Sequence, residues 1–331
     1  MTDQPPRESQ GPTSESMAPA LIQHHQRVWG AARVILVAAV LYFVLHALVR
    51  RFSAVSWGQV QFSPYFLAAA LVSALLMRLV GMAAYRFLIA SFCGRLGWQQ
   101  VSAIAWIPAM AKYVPGRFAG VVGALWLLRR CGVSAAVAAG VVVARTALVV
   151  LSGFMVAAPL TLWEPMRERL PLAWLLYGAT LGSSIVCLHP RCFGAVANLL
   201  LRRLGRERLA AVPRLRDYGV PLFLTLCRRM LAGVELWFVA RAIAQVPLQV
   251  APMLASAAAL AHTAGLLAFF APAGIGVREG VYLLVLGPLL GPSPAALVAV
   301  LARLVDVCGD LIAGGAGLLA LRHSPQGLTP P

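Results

Sequence analysis

The sequence is short of acid, nearly without lysine, and has no long hydrophilic stretch that could fold as a soluble domain. Only 11 of its 331 residues are Asp or Glu and 12% are charged, about half the share usual in a globular domain. An ordinary soluble enzyme is thereby excluded. Lys112 is the one lysine, and the other 27 basic residues are arginines scattered between apolar stretches. A nucleic-acid binder gathers such charge on a hydrophilic face, so the net charge of +17 does not make nucleic acid a partner. The six cysteines (93, 131, 187, 192, 227 and 308) form no CxxC pair, which argues for neither a zinc site nor a disulfide framework. No metal and no cofactor is called for. Of six histidines only His262 lies deep in an apolar run, where a structural role is expected. Residues 1–28 read as a disordered cytoplasmic tail, and their start lacks the apolar core of a signal peptide.

What the chain has instead is apolar length: 60% hydrophobic residues and a mean hydropathy of +0.80. About 20 apolar residues carry a helix across hydrocarbon. Six runs qualify or come close, at 29–49, 64–80, 133–163, 171–189, 219–240 and 294–321. Two more are interrupted. The run 101–128 contains Pro108 and Pro115-Gly116, and the run 252–290 contains Pro272-Ala-Gly274-Ile-Gly276. Backbone freed by such breaks survives at membrane depth only inside protein or beside a wet cavity. Both read as broken hairpins, re-entrant or made of two short crossings. The expected fold is an all-α polytopic integral membrane protein of six to eight transmembrane helices. Its membrane domain spans 29–321, and 322–331 form a short C-terminal tail.

Arginine placement orients it. Residues 190–217 carry seven arginines against Glu207 and Asp217 and read as a basic cytoplasmic loop, with Arg129-Arg130 on the same side. The charge-balanced 164–169 segment then lies outside. Both termini come out cytoplasmic, and the two broken hairpins enter from opposite faces. Arg50-Arg51 falls outside, against the rule.

The two halves resemble each other. Pro115-Gly116, Gly132-Val-Ser and Ala144-Arg145 recur as Pro272-Ala-Gly274, Gly291-Pro-Ser and Ala302-Arg303, with Pro-to-Arg intervals of 30 and 31 residues. Units of about 64–163 and 219–321 entering from opposite faces make an inverted repeat, the way many transporters build one midplane site. Chance similarity in an Ala-, Gly- and Leu-rich chain is the alternative.

Charges inside apolar segments need partners or water. They are Arg78, Lys112, Arg117, Arg145, Arg228, Arg229, Arg278 and Arg303 against Glu235, Glu279, Asp306 and Asp310, a positive surplus. Arg303, Asp306 and Asp310 share one helix face by their spacing of three and four, so these carboxylates can balance Arg303 and also Arg145 or Arg278. Glu235 is a further balancing charge. Snorkelling from a helix end is the competing reading for Arg78 and Lys112. Arg117 and Arg278 closely follow the two breaks, where exposed helix N-termini attract anions and guanidinium forks suit phosphate. A lipid phosphate is the simplest anion whose tails can stay in the bilayer.

Lys112-Tyr113-Val-Pro115-Gly116-Arg117 resembles the KYxPGK element, and Pro272-Ala-Gly274-Ile-Gly276-Val-Arg278-Glu279-Gly280 the PxGxGxRE element, of the flippase-like family named for the transmembrane region of lysylphosphatidylglycerol synthase. Arg303 matches a recurrent arginine near that family's last helix. Arg117 stands in place of the usual Lys, and Ala144 where Glu often precedes the arginine. The resemblance covers about 30–321. It implies a bacterial inner-membrane protein that binds or flips anionic or isoprenoid-linked lipids, with Lys112, Tyr113, Pro115, Gly116, Arg117, Arg145, Gly274, Gly276, Arg278, Glu279 and Arg303 at the headgroup. It does not imply lysyl transfer, since that chemistry belongs to a separate soluble domain and ten residues follow Leu321. Two rivals remain. Asp306-Val-Cys-Gly-Asp310 is a DxxxD that could hold Mg²⁺ and a diphosphate in an intramembrane lipid or prenyl transferase, although a second acidic cluster is missing. A non-transporting partner in a lipid-synthesis complex could dock other lipid-biosynthesis proteins, or anionic headgroups, through 190–217.

Overall fold

The computed structural model of the chain describes residues 62–111, 119–164, 168, 173–203, 213–268 and 274–322. Among these residues every regular element is helical: α1 (Pro64–Cys93), α2 (Trp98–Ala111), α3 (Ala119–Arg130), α4 (Ala135–Ala157), α5 (Ala173–Leu188), α6 (Pro190–Arg203), α7 (Gly219–Arg241), α8 (Ala251–Leu267), α9 (Val277–Leu290) and α10 (Pro292–Arg322), with short 3₁₀ turns after α4 and before α7 and α8. The tail 1–28, the first apolar run 29–49 and the tail from 323 onward lie outside the described residues.

Local chemistry sets the boundaries. Pro64 opens α1 in the first turn, where its missing N–H costs nothing. The Ser134 hydroxyl accepts from the Val137 N–H at 3.4 Å to start α4. Gly132 and Gly291 hold φ of +80° and +83° in the turns before α4 and α10, a conformation side chains resist.

Three expectations need amending. Helix α1 continues to Cys93, past the 64–80 run, because Gly81 and Arg86 sit within it without breaking its hydrogen bonds. Pro108 lies inside α2 and does not end it. Part of the basic 190–217 segment is helix α6, whose Phe193 packs into the core against Phe92.

Among the described residues three segments are long and apolar enough to cross a membrane: Pro64–Cys93, Ala135–Thr161 and Leu248–Leu267. Their outward faces carry large apolar side chains such as Tyr65, Val72, Leu76, Val143 and Met155, which in water would form an adhesive surface. Inward faces carry small residues. Helices α1 and α7 run antiparallel along each other, the Ser63 N–H donating to Ala242 O and the Ser73 hydroxyl to Leu231 O, both at 3.0 Å. Gly233 of α7 meets Ala255 of α8 with no room for a Cβ. Close backbone approach of this kind supplies the dispersion that holds helices together in lipid.

Packing partners follow a pattern. Helix α2 lies on α10 and α8 on α4; α1 meets α10 as α7 meets α4, and α1 meets α4 as α7 meets α10. The apolar interior forms two clusters. One joins Ala70, Ala74 and Met77 to α7, α8, α9 and α10. The other joins Tyr85, Leu88 and Ile89 to α2, α3 and α4. On α1 the boundary falls between Met77 and Tyr85, and on α7 between Leu222 and Leu231. Arg78, Arg228 and Arg229 occupy that interval.

Candidate functional site

The polar layer between the two clusters centres on Asp306 of α10. One carboxylate oxygen accepts from Arg278 Nη2 of α9 at 2.5 Å, and the other lies 3.4 Å from Arg78 Nη2 of α1. Asp310, one turn further on, accepts from Arg78 Nε at 2.9 Å. Arg78 also donates to the carbonyls of Ala74 at 2.8 Å and Asp306 at 2.5 Å. The four side chains belong to residues 7, 6, 3 and 5% exposed for Arg78, Arg278, Asp306 and Asp310. At such burial an unpaired charge would cost several kcal/mol, so this network ties α1, α9 and α10 into one register.

His262 of α8 completes the cluster. An arginine can only donate, so His262 Nε2, 2.7 Å from Arg278 Nη2, accepts; the proton then sits on Nδ1 and is donated to Ala258 O at 2.7 Å. The ring is neutral in this arrangement and supports Arg278 from behind. Nearby, Arg229 donates to Val149 O at 2.6 Å and to the Thr263 hydroxyl at 3.3 Å, bridging α7 to α4 and α8.

Glycines make space for these guanidinium groups. A Cβ on Gly309 would lie 2.7 Å from Arg78 Cζ, one on Gly265 2.7 Å from Arg278 Cγ, and one on Gly81 2.9 Å from Arg228 Cδ. On Gly153 it would collide with the Thr263 hydroxyl and reach Arg229 Nη2. Three buried arginines and the half-buried Arg228 thus each lie over a glycine of a neighbouring helix.

A cavity of about 110 Å³ opens beside Arg78, several times the space one water needs. Its charged lining is Arg78, Arg145, Arg228 and Asp310, with Gly81, Tyr85, Trp106 and Thr225 among the neutral residues. The Arg145 guanidinium stands over the Tyr85 ring at 4.2 Å, a favourable cation–π distance. Among the described residues Arg145 and Arg228 form no ion pair, although Asp306 and Asp310 lie near enough to act on Arg228.

The structure therefore unites some of the expected site residues and separates others. Arg145 lines the cavity, while Arg278, Asp306 and Asp310 meet beside it. The carboxylates are engaged by Arg78 and Arg278; no described contact joins either of them to Arg145. Arg303 is half-buried on α10, one turn before Asp306. Glu235 is buried on α7, and its Oε2 has no hydrogen-bond partner among the described residues. Glu279 serves α9 itself, accepting from the Gly276 N–H at 2.7 Å across the helix start. Gly274 and Gly276 hold φ of +68° and +84°, and Gly274 would bring a Cβ within 2.7 Å of Gly265 Cα. Lys112, Tyr113, Pro115, Gly116 and Arg117 lie outside the described residues. Arg78 does not snorkel; it is the hub of the network. Tyr85 and Trp106 were not legible as lining residues, since aromatics on an apolar helix carry no signal of what they face. The adjacent Arg228-Arg229 on an apolar helix was the available sign of a charged interior. Cys93, Cys131, Cys192, Cys227 and Cys308 are free thiols.

Apolar helices wrapped around a buried ionic network define a membrane-embedded protein, with Arg78, Arg278, Asp306 and Asp310 enclosed by its own helices. Residues 30–314 match the lysylphosphatidylglycerol synthase TM region, and the chain belongs to that family. Among curated proteins none matches it.

Proposed function

We propose that the protein binds the headgroup of an anionic phospholipid or isoprenoid-linked lipid in the cavity beside Arg78 and moves it across the bacterial cytoplasmic membrane. The observation that carries this reading is that two guanidinium groups with no ion pair among the described residues, Arg145 and Arg228, line one cavity in the interior of a membrane-embedded chain. Intramembrane charge is costly unless water or a counter-ion reaches it, and a phosphate is a fitting counter-ion for two forks.

The proposed architecture is six to eight crossings in an inverted repeat, with both termini cytoplasmic. Its support is the packing pattern: exchanging α1, α2, α3 and α4 for α7, α8, α9 and α10 carries the contacts α2–α10 and α1–α10 onto α8–α4 and α7–α4. An inverted repeat gives two facing arrangements of one site with little change in local packing. The Mg²⁺-dependent transferase has less support, because both carboxylates of the DxxxD segment are taken up by Arg78 and Arg278.

The test is scrambling of a fluorescent anionic lipid in liposomes that contain only this protein. We expect transfer between leaflets that falls at least about tenfold in Arg145→Gln and Arg228→Gln, the order of one lost charge-assisted hydrogen bond. Wild-type liposomes that scramble no faster than protein-free ones would refute the transport reading.

A further inference from the structure

Resting on the lipid-binding reading, we infer that the cavity selects a headgroup ending in a doubly charged phosphate, a phosphomonoester or diphosphate, and rejects aminoacylated headgroups of net positive charge. The argument is a count of charges at one place. Among the described residues four charged side chains line the cavity, three arginines and one carboxylate. The carboxylate, Asp310, is held by Arg78 Nε at 2.9 Å, and Arg78 is held in turn by Asp306 as well. That part of the lining is internally balanced. Arg145 and Arg228 are left, each with a formal positive charge and no ion pair among the described residues.

The carboxylates that act on Arg228, Asp306 and Asp310, are the ones already held by Arg78 and Arg278. Arg145 has the face of Tyr85, and Arg228 lies against the backbone at Gly81, its Nε 3.1 Å from where a Cβ would be. An occupant that balances the cavity carries about two negative charges. A phosphomonoester is close to that at neutral pH, its second ionisation lying near 6. A phosphodiester such as phosphatidylglycerol brings one. A lysyl-esterified headgroup would bring ammonium groups into a site whose single carboxylate is already occupied. The family takes its name from a synthase of such a lipid, and this cavity is electrostatically unsuited to it.

The test is native mass spectrometry of the purified full-length protein in detergent, titrated with four lipids of matched acyl chains: phosphatidic acid, phosphatidylglycerol, lysyl-phosphatidylglycerol and phosphatidylcholine. A fifth arm uses water-soluble glycerol 1-phosphate. We expect phosphatidic acid to bind about tenfold more tightly than phosphatidylglycerol, with lysyl-phosphatidylglycerol no better than phosphatidylcholine. Arg145→Gln and Arg228→Gln should bring phosphatidic acid to the level of phosphatidylglycerol, whereas the Lys substitutions, which keep the charge, should preserve the order. Lysyl-phosphatidylglycerol binding as well as phosphatidic acid would overturn the inference and leave lipid binding standing. So would an order that survives both Gln substitutions, or one lost in the Lys variants as fully as in the Gln variants. Binding of none of the four lipids would overturn both readings. Glycerol 1-phosphate binding as tightly as phosphatidic acid would uphold the dianion chemistry and remove the lipid as its source.

Discussion

Asp306→Asn isolates the charge of the central acceptor while keeping its shape. In the native protein Asp306 receives Arg278 at 2.5 Å and stands 3.4 Å from Arg78, with all partners buried. The amide can still accept through one oxygen, but Arg278 then keeps only neutral described side-chain partners, His262 and Tyr282 among them. Leaving a buried charge uncompensated costs about 3–5 kcal/mol, so the unfolding equilibrium should shift by roughly a hundred- to several-thousand-fold. Asp310→Asn should cost less, about 1.5–3 kcal/mol for one charge-assisted hydrogen bond. Arg78 retains the Ala74 and Asp306 carbonyls and the Asp306 carboxylate. Replacing the pair together, Arg278→Met with Asp306→Leu, should recover most of the loss, because an apolar pair of similar volume needs no compensation. The assay is unfolding in mixed micelles titrated with SDS and followed by tryptophan fluorescence. An Asp306→Asn variant within about 1 kcal/mol of wild type, or Asp310→Asn as the costlier change, would contradict a network centred on Asp306.

Two more changes probe the frame around the network. Gly309→Ala places a methyl 2.7 Å from the Arg78 guanidinium carbon; the same SDS titration should read a loss of about 1–3 kcal/mol, the range for overpacking. Glu279→Ala removes the side chain that closes the first turn of α9, and a loss of about 1 kcal/mol is expected. A larger fall in lipid scrambling than that loss explains would place Glu279 at the substrate.

Much of the helix order could be read along the chain. The runs that became α4, α5, α7 and α10 were found to within a few residues, because hydropathy and Pro or Gly placement act locally. The interruption at Pro272–Gly276 was legible for the same reason: α8 ends at Leu267 and α9 starts at Val277, and only glycine readily takes the positive φ of Gly274 and Gly276. Pro108 misled because a proline removes one hydrogen bond yet can stay in a helix whose neighbours compensate. Helix α6 was hidden by its arginines, which marked the segment as cytoplasmic and said nothing of its folded apolar side.

By itself the sequence determined the solvent. A chain with 12% charged residues and apolar runs of helix-spanning length cannot bury that surface in water, so it folds as helices among lipid. It also put more basic than acidic residues into the apolar segments. Which charges meet was decided only by tertiary structure. Arg78 and Asp310 are 232 residues apart, and every arginine on an apolar helix looks alike until packing gives each a face. The antiparallel contact of α1 with α7 and the glycines at 81, 265 and 309 set that geometry, balancing Arg78 and Arg278 and leaving Arg145 and Arg228 beside a cavity. Charge pairing depends on distance and burial, and neither is a local property of the chain.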